Sequence, residues 1–227
     1  MSNTTSIKLE NLSIGYHQAI LRDINIDLPT GKSVVLLGLN GTGKSTLLKA
    51  IAGIEGLISG KVFLFQKDVF SLSYAERAKL ASLIFSGFSE STSLKVFDYV
   101  SLGRTPYLNL LAQKTKKDVE LIQRAIELTG ISNLQNFYID ELSDGERQKC
   151  MIARALAQDT PIMLLDEPTS HLDVKNKAEI TLLLKTIAED FNKTIIYSSH
   201  DVDIAKKNSH IQLLIENNKL NVANLSS

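Results

Sequence analysis

The sequence predicts an α/β protein with a mostly parallel sheet, an N-terminal antiparallel β subdomain and an inserted helical subdomain. Three observations point there. Residues 33–38 (SVVLLG), 161–166 (PIMLLD) and 194–199 (TIIYSS) are apolar runs of strand length, the pattern of strands buried on both faces. Each leads into a polar turn and then a helical pattern, as parallel-sheet units do. Residues 7–14 and 20–28 instead alternate apolar and polar side chains, which suits half-exposed antiparallel strands. Between roughly residues 90 and 158 the period becomes helical. Val96, Tyr99 and Val100 recur at helix spacing, and Val119, Ile122, Ile126 and Leu128 do so further on. The expected organisation is one domain over residues 1–227, with the helical subdomain inserted at approximately 87–160. The Asn-rich stretch 217–224 keeps a weak strand alternation.

With 227 residues, 44% of them hydrophobic, the chain is long enough to bury one substantial core. Its 25 Lys and Arg balance 25 Asp and Glu, so it lacks the basic excess expected of a protein that coats nucleic acid or an anionic membrane. No nucleic-acid partner is expected. No run approaches the roughly 20 apolar residues that span a bilayer, and Met1–Lys8 lacks the apolar core of an export signal. The expected location is cytoplasmic. A single cysteine, Cys150, excludes an intrachain disulfide framework and reads as helix packing. His17, His171 and His210 show no metal-ligand spacing with one another, so no structural metal is assigned.

The first chemical motif follows the first buried strand. Gly38-Leu39-Asn40-Gly41-Thr42-Gly43-Lys44-Ser45-Thr46 fits the phosphate-binding pattern G-x-x-x-x-G-K-[ST], with a strand before it and a helical run (Leu47, Leu48, Ile51) after it. Backbone N–H groups must curl around phosphate oxygens, and glycines allow that curl without Cβ clashes. A helix starting near Lys44 adds its positive dipole end. Lys44 is placed to reach the β- and γ-phosphates of a nucleoside triphosphate, and Ser45 to offer its hydroxyl to Mg²⁺. This makes the sheet the core of a P-loop NTPase.

The second buried strand delivers Asp166 and Glu167 at its carboxyl end. Asp166 suits Mg²⁺, through water, because that ion keeps much of its hydration shell. Glu167, one residue on, points elsewhere and can orient and deprotonate an attacking water. The plainer alternative is a pair of acidic residues capping a strand before a turn. The third strand ends in Ser198-Ser199-His200-Asp201. His200 is either an ordinary surface histidine or a ligand contact on the rim where open α/β sheets bind their ligands.

Residues 142–148 read Leu142-Ser143-Asp144-Gly145-Glu146-Arg147-Gln148. By itself this is a well-capped helix start, with Ser143 as N-cap and the N–H groups around Gly145 as outward-facing donors. Its place in the chain adds more. The order is phosphate loop, helical insertion, this segment, the Asp166-Glu167 strand, Ser170-His171-Leu172-Asp173 and His200. Over nearly its whole length the chain resembles the ATP-binding cassette (ABC) family of transporter ATPases. The resemblance implies a head-to-tail pair of copies sandwiching two ATP molecules. It implies that Ser143, Gly145 and Glu146 of one copy meet the γ-phosphate held by the other, and that Asp173 reaches across the pair. His200 then corresponds to the switch histidine at the γ-phosphate, and Tyr16 to the aromatic that stacks on adenine; otherwise Tyr16 is an edge-strand tyrosine.

Two positions depart from the family pattern. Asp144 stands where glycine is common. Aligning Leu83-Ile84-Phe85 with the strand before the insertion puts Ser86 where the family carries a metal-contacting glutamine, leaving a shorter hydroxyl toward the metal. A narrower resemblance lies in Leu102-Gly103-Arg104-Thr105-Pro106-Tyr107, which is similar to the ATPases of importers for iron-siderophore complexes, haem and cobalamin; its plain reading is a helix ending at Gly103 before Pro106. The expectation is an ATP-hydrolysing importer subunit. It would use ATP and Mg²⁺, pair with a second copy and a separate polytopic permease, lie on the inner face of the membrane, and work with an extracytoplasmic binding protein. The alternatives are an ATPase of the same family with a soluble task and a nucleotide-gated subunit that hardly hydrolyses. Asp144 and Ser86 are the support for the latter.

Overall fold

The computed structural model describes residues 4–85, 93–109 and 111–225. Among them the elements run β1 Thr5–Gly15, β2 Ala19–Pro29, β3 Ser33–Leu37, α1 Lys44–Ile51, β4 Ser59–Leu64, β5 Lys67–Asp68, α2 Tyr74–Leu80 and β6 Ala81–Ile84. After these come α3 Val96–Ser101, α4 Lys116–Leu128, α5 Asp144–Ala157, β7 Ile162–Leu165, α6 Val174–Asp190, β8 Thr194–Ser199, α7 Val202–Lys207, β9 Ile211–Glu216 and β10 Lys219–Leu225. None of the described helices is long and apolar enough to cross a membrane.

The described strands form two sheets. β2-β1-β4-β5 is antiparallel, and β10-β9-β3-β8-β7-β6 is parallel except for β10, which returns antiparallel along β9. The three apolar runs are central strands, buried along their whole lengths. Alternate residues of β3 serve two cores. Val35 and Leu37 join the core made with α3–α6, whereas Val34 and Leu36 join the one made with α1 and the antiparallel sheet. The parallel sheet is thus covered on both faces, as such sheets require.

Sequence reading did not resolve β4, β5 and β9. In β4 the signal is a short period-2 pattern, Val62 and Leu64 inward beside an exposed Lys61. β9 carries Gln212 inside its buried run, which blurs its apolar character. β10 falls on the weakly alternating stretch near 217–224.

Register brings the chemistry together. Leu36 of β3 lies opposite Ser198 of β8, Leu165 of β7 opposite Tyr197, and Ile84 of β6 opposite Leu165. The carboxyl ends of the three central strands therefore end side by side, and the loops that follow them share one rim. At the opposite end, the Ser33 N–H donates to His210 Nδ1 at 3.1 Å while Nε2 faces Glu189 at 2.7 Å. Burial lowers the His210 pKa and favours the neutral ring that this geometry needs. Cys150 is fully buried on α5, and burial pushes its thiol up to about 12, so it packs rather than reacts.

Candidate functional site

The loop after β3 turns into α1 through Gly43, whose φ of 103° is left-handed and suited to glycine. A Cβ there would also press on Ile20 at 3.0 Å, so the residue is constrained twice. Gly41 has φ 78° and open space around it. Thr42 closes the turn by donating its hydroxyl to the Leu39 carbonyl at 2.8 Å. Lys44 is only 4% exposed. Its Nζ donates to the carbonyls of Gly38 at 2.9 Å and Leu39 at 3.1 Å, and stands 3.7 Å from Glu167 Oε1. A buried ammonium held by carbonyl dipoles, with the nearby carboxylate beyond hydrogen-bond reach, is a site for an anion.

Asp166 is buried at the end of β7, its N–H bonded to the Ile84 carbonyl at 2.8 Å. Glu167 follows with φ 47°, a sparsely populated conformation for a side-chain-bearing residue. It turns off the strand toward Lys44 and toward His200, whose Nδ1 is 4.0 Å from Glu167 Oε2. The residue between these groups is Ser198. Its Oγ donates to Asp166 Oδ1 at 2.7 Å and accepts the Glu167 N–H at 2.7 Å. Sequence reading passed over Ser198; the available signal was a serine inside an otherwise apolar buried strand, which must find partners. His200 is half-exposed, 3.9 Å from Asp201, which in turn pairs with Lys177 of α6 at 2.7 Å. His200 also lines a cavity together with Gly38, Leu39, Asn40 and Thr42 of the loop.

A second group gathers at the start of α5. Ser143 is its N-cap and forms a reciprocal box with Glu146: the serine hydroxyl accepts the Glu146 N–H at 3.4 Å, and the Ser143 N–H donates to Glu146 Oε2 at 2.9 Å. The serine hydroxyl also donates to Oε2 at 2.6 Å, and these two bonds to the carboxylate lower the Glu146 pKa. Gly145 is buried beneath Asn176 of α6, and a Cβ would sit 3.1 Å from that side-chain amide. Asn176 in turn bonds Asp173, the N-cap of α6, through its N–H at 2.7 Å and its amide at 3.0 Å. Asn176 thus links the first turn of α5 at Gly145 to the α6 N-cap at Asp173, a link that sequence reading missed. Asp144 projects into solvent from the first turn, with Arg147 at 3.9 Å.

Hydrogen bonds and ion pairs therefore join Lys44, Glu167, Asp166 and His200 in one group, and packing of Asn176 on Gly145 brings the start of α5 to Asp173 in a second. Tyr16 is an exposed residue in the turn joining β1 and β2. Ser45 and Thr46 occupy the first turn of α1. Ser86 lies outside the described residues.

The Leu102–Tyr107 segment has a structural explanation. Gly103 sits against the backbone of Arg154, leaving no room for a Cβ. Arg104 is buried, with Nε on Asp118 Oδ1 at 2.8 Å, Nη1 on the Ala157 carbonyl at 2.8 Å and its guanidinium stacked 4.0 Å from the Tyr107 ring. It fastens α4 to the end of α5.

Comparison with known proteins places this geometry. Residues 21–170 match the family model for ABC transporters. A probable siderophore transport system ATP-binding protein of Bacillus subtilis is 37% identical over 217 residues, covering 95% of this chain and 79% of that protein. A metal-chelate type ABC transporter solved in an inward-facing conformation superposes with a TM-score of 0.85 at 28% identity, covering 96% of this chain and 83% of that one. A bacterial ABC transporter cassette solved as a dimer gives 0.81 at 26% identity, covering 96% and 97%.

Proposed function

The chain belongs to the ABC transporter family of ATP-binding proteins, and from that premise we propose that it powers an importer for a metal-chelate nutrient such as an iron-siderophore complex. Two copies would close head to tail on two ATP molecules and drive a separate membrane permease through the helical insertion. That arrangement would hold the chain on the inner face of the membrane, with an extracytoplasmic binding protein delivering the cargo. The likeness to a siderophore transport protein and to a metal-chelate transporter supports the cargo class. The likeness to a cassette solved as a dimer supports the pairing.

The observation that carries the reading is Lys44, buried between two loop carbonyls with Glu167 at 3.7 Å. In this reading the backbone of Gly38–Thr46 cradles the phosphates and Lys44 turns from its carbonyls to the β- and γ-oxygens. Tyr16 stacks on adenine. His200 donates to the γ-phosphate, and Glu167 takes the proton of the attacking water. The partner copy's Ser143, Gly145 and Glu146 close the far side of the γ-phosphate, with the partner's Asp173 beside them. The donor set suits Mg²⁺: Asp166 and Ser45 supply hard oxygen atoms next to the loop, with the Ser86 hydroxyl as a further candidate on the family alignment. When bound, Mg²⁺ neutralises charge building on the phosphate oxygens.

Glu167→Gln tests the assignment. It should bind ATP within about twofold of wild type while turnover falls at least ~100-fold, the scale of a lost general base. Unchanged steady-state phosphate release would remove Glu167 from the role.

A further inference from the structure

We infer that Ser198 is the positioning residue of the hydrolytic corner, one buried hydroxyl fixing the direction of both carboxylates in the Asp166-Glu167 pair. The inference rests on the reading of Asp166 as metal ligand and Glu167 as base. Ser198 is fully buried near the end of β8, in the register position next to the end of β7. A hydroxyl has one proton to give and lone pairs to accept with, and this one uses both kinds of site within the pair. Its proton goes to Asp166 Oδ1 and its lone pair takes the Glu167 N–H, each at 2.7 Å. The first bond is charge-assisted, hence short and directional. The second acts on the backbone. Glu167 sits at φ 47°, a conformation that persists in a non-glycine residue only where its surroundings hold it. That bend takes the Glu167 side chain off the strand axis toward Lys44 and His200. Replacing the hydroxyl by hydrogen, as alanine does, would remove a donor from Asp166 and the acceptor of the Glu167 N–H, while leaving the phosphate loop untouched.

The test uses the purified full chain carrying Ser198→Ala or Ser198→Thr, with four readouts. These are ATP binding in EDTA, Mn²⁺ binding to the ATP-loaded protein by electron paramagnetic resonance, kcat against KM, and the thermal midpoint. Groups that hold a metal ligand in place typically carry about 10- to 100-fold in metal affinity or activity. Ser198→Ala should therefore bind ATP in EDTA like wild type, lose about 10-fold in Mn²⁺ affinity and at least that much in kcat, and keep its KM within about twofold. Ser198→Thr, which keeps the hydroxyl, should restore both. If Ser198→Ala does not fold, Ser198→Cys takes its place with the same expected pattern, since a thiol donates only weakly. Wild-type Mn²⁺ affinity and kcat in the alanine or cysteine variant would overturn the inference. So would equal losses in the alanine and threonine variants that track a fall in thermal midpoint. Asp166→Asn separates the two levels. If it loses Mn²⁺ affinity while Ser198→Ala does not, only the role of Ser198 fails; if it binds Mn²⁺ like wild type, the reading of Asp166 fails with it.

Discussion

Arg104 in the helical insertion and Lys44 in the phosphate loop are equally hidden cations, each 4% exposed, yet they are paired in opposite ways. Arg104 spends its donors inside the fold, on Asp118, the Ala157 carbonyl and the Gln158 carbonyl, and stacks on Tyr107. Its partner carboxylate is satisfied as well, because Asp118 Oδ2 accepts the N–H and the hydroxyl of Thr115 at 2.8 and 2.6 Å. Lys44 has two carbonyls and a carboxylate beyond hydrogen-bond reach. A buried charge completed by the chain's own groups holds structure together, whereas one stabilised by dipoles and a distant carboxylate is ready for an incoming anion. The comparison also gives a motif a structural role. The Leu102–Tyr107 run, similar in sequence to an importer group, is built around a guanidinium that fastens helices.

The largest expected effect is on the structural cation. Arg104→Ala should lower unfolding free energy by about 3–5 kcal/mol, because it strands a buried carboxylate; urea titration measures it. The fraction that remains folded should bind ATP like wild type, and a loss of binding in folded protein would break the distinction. Lys44→Ala should do the reverse. Turnover should drop by about 10²–10³-fold, the scale of a lost oxyanion donor, while the urea midpoint stays within the range of an ordinary surface substitution. A clear loss of stability there would make Lys44 a structural cation too.

A smaller effect depends on acid. Bonds from Thr115 and the Arg104 guanidinium hold Asp118 down to about 2, well below the ordinary aspartate value near 3.9. A depressed carboxylate pKa means that the unfolded chain binds the proton first. The associated stability is thus complete above about pH 4 and is lost as the pH falls toward 2. Asp118→Asn should flatten that part of the stability profile, as followed by unfolding at stepped pH. An unchanged slope would mean that other carboxylates govern it.

Much of this was legible in the chain. The phosphate loop announces itself because glycine spacing, a buried strand before it and a helix after it all serve one backbone geometry. The Asp166-Glu167 pair is legible because charges rarely end an apolar run without reason. What escaped depends on neighbours far away in sequence. Ser198 finds its partners 32 and 31 residues away, and the Asn176 link between Gly145 and Asp173 exists only once α5 and α6 pack. Strand β9 escaped for a local reason, since Gln212 interrupts its apolar pattern and is buried only in the folded sheet.

The central claim is that Lys44 and Ser143 act in the same reaction centre only when two copies meet. Sedimentation velocity of Glu167→Gln at saturating MgATP tests it most directly. A dimer that reverts to monomer when ATP is withdrawn is the predicted result. A monomer throughout, with the permease present as well as without it, would contradict the account.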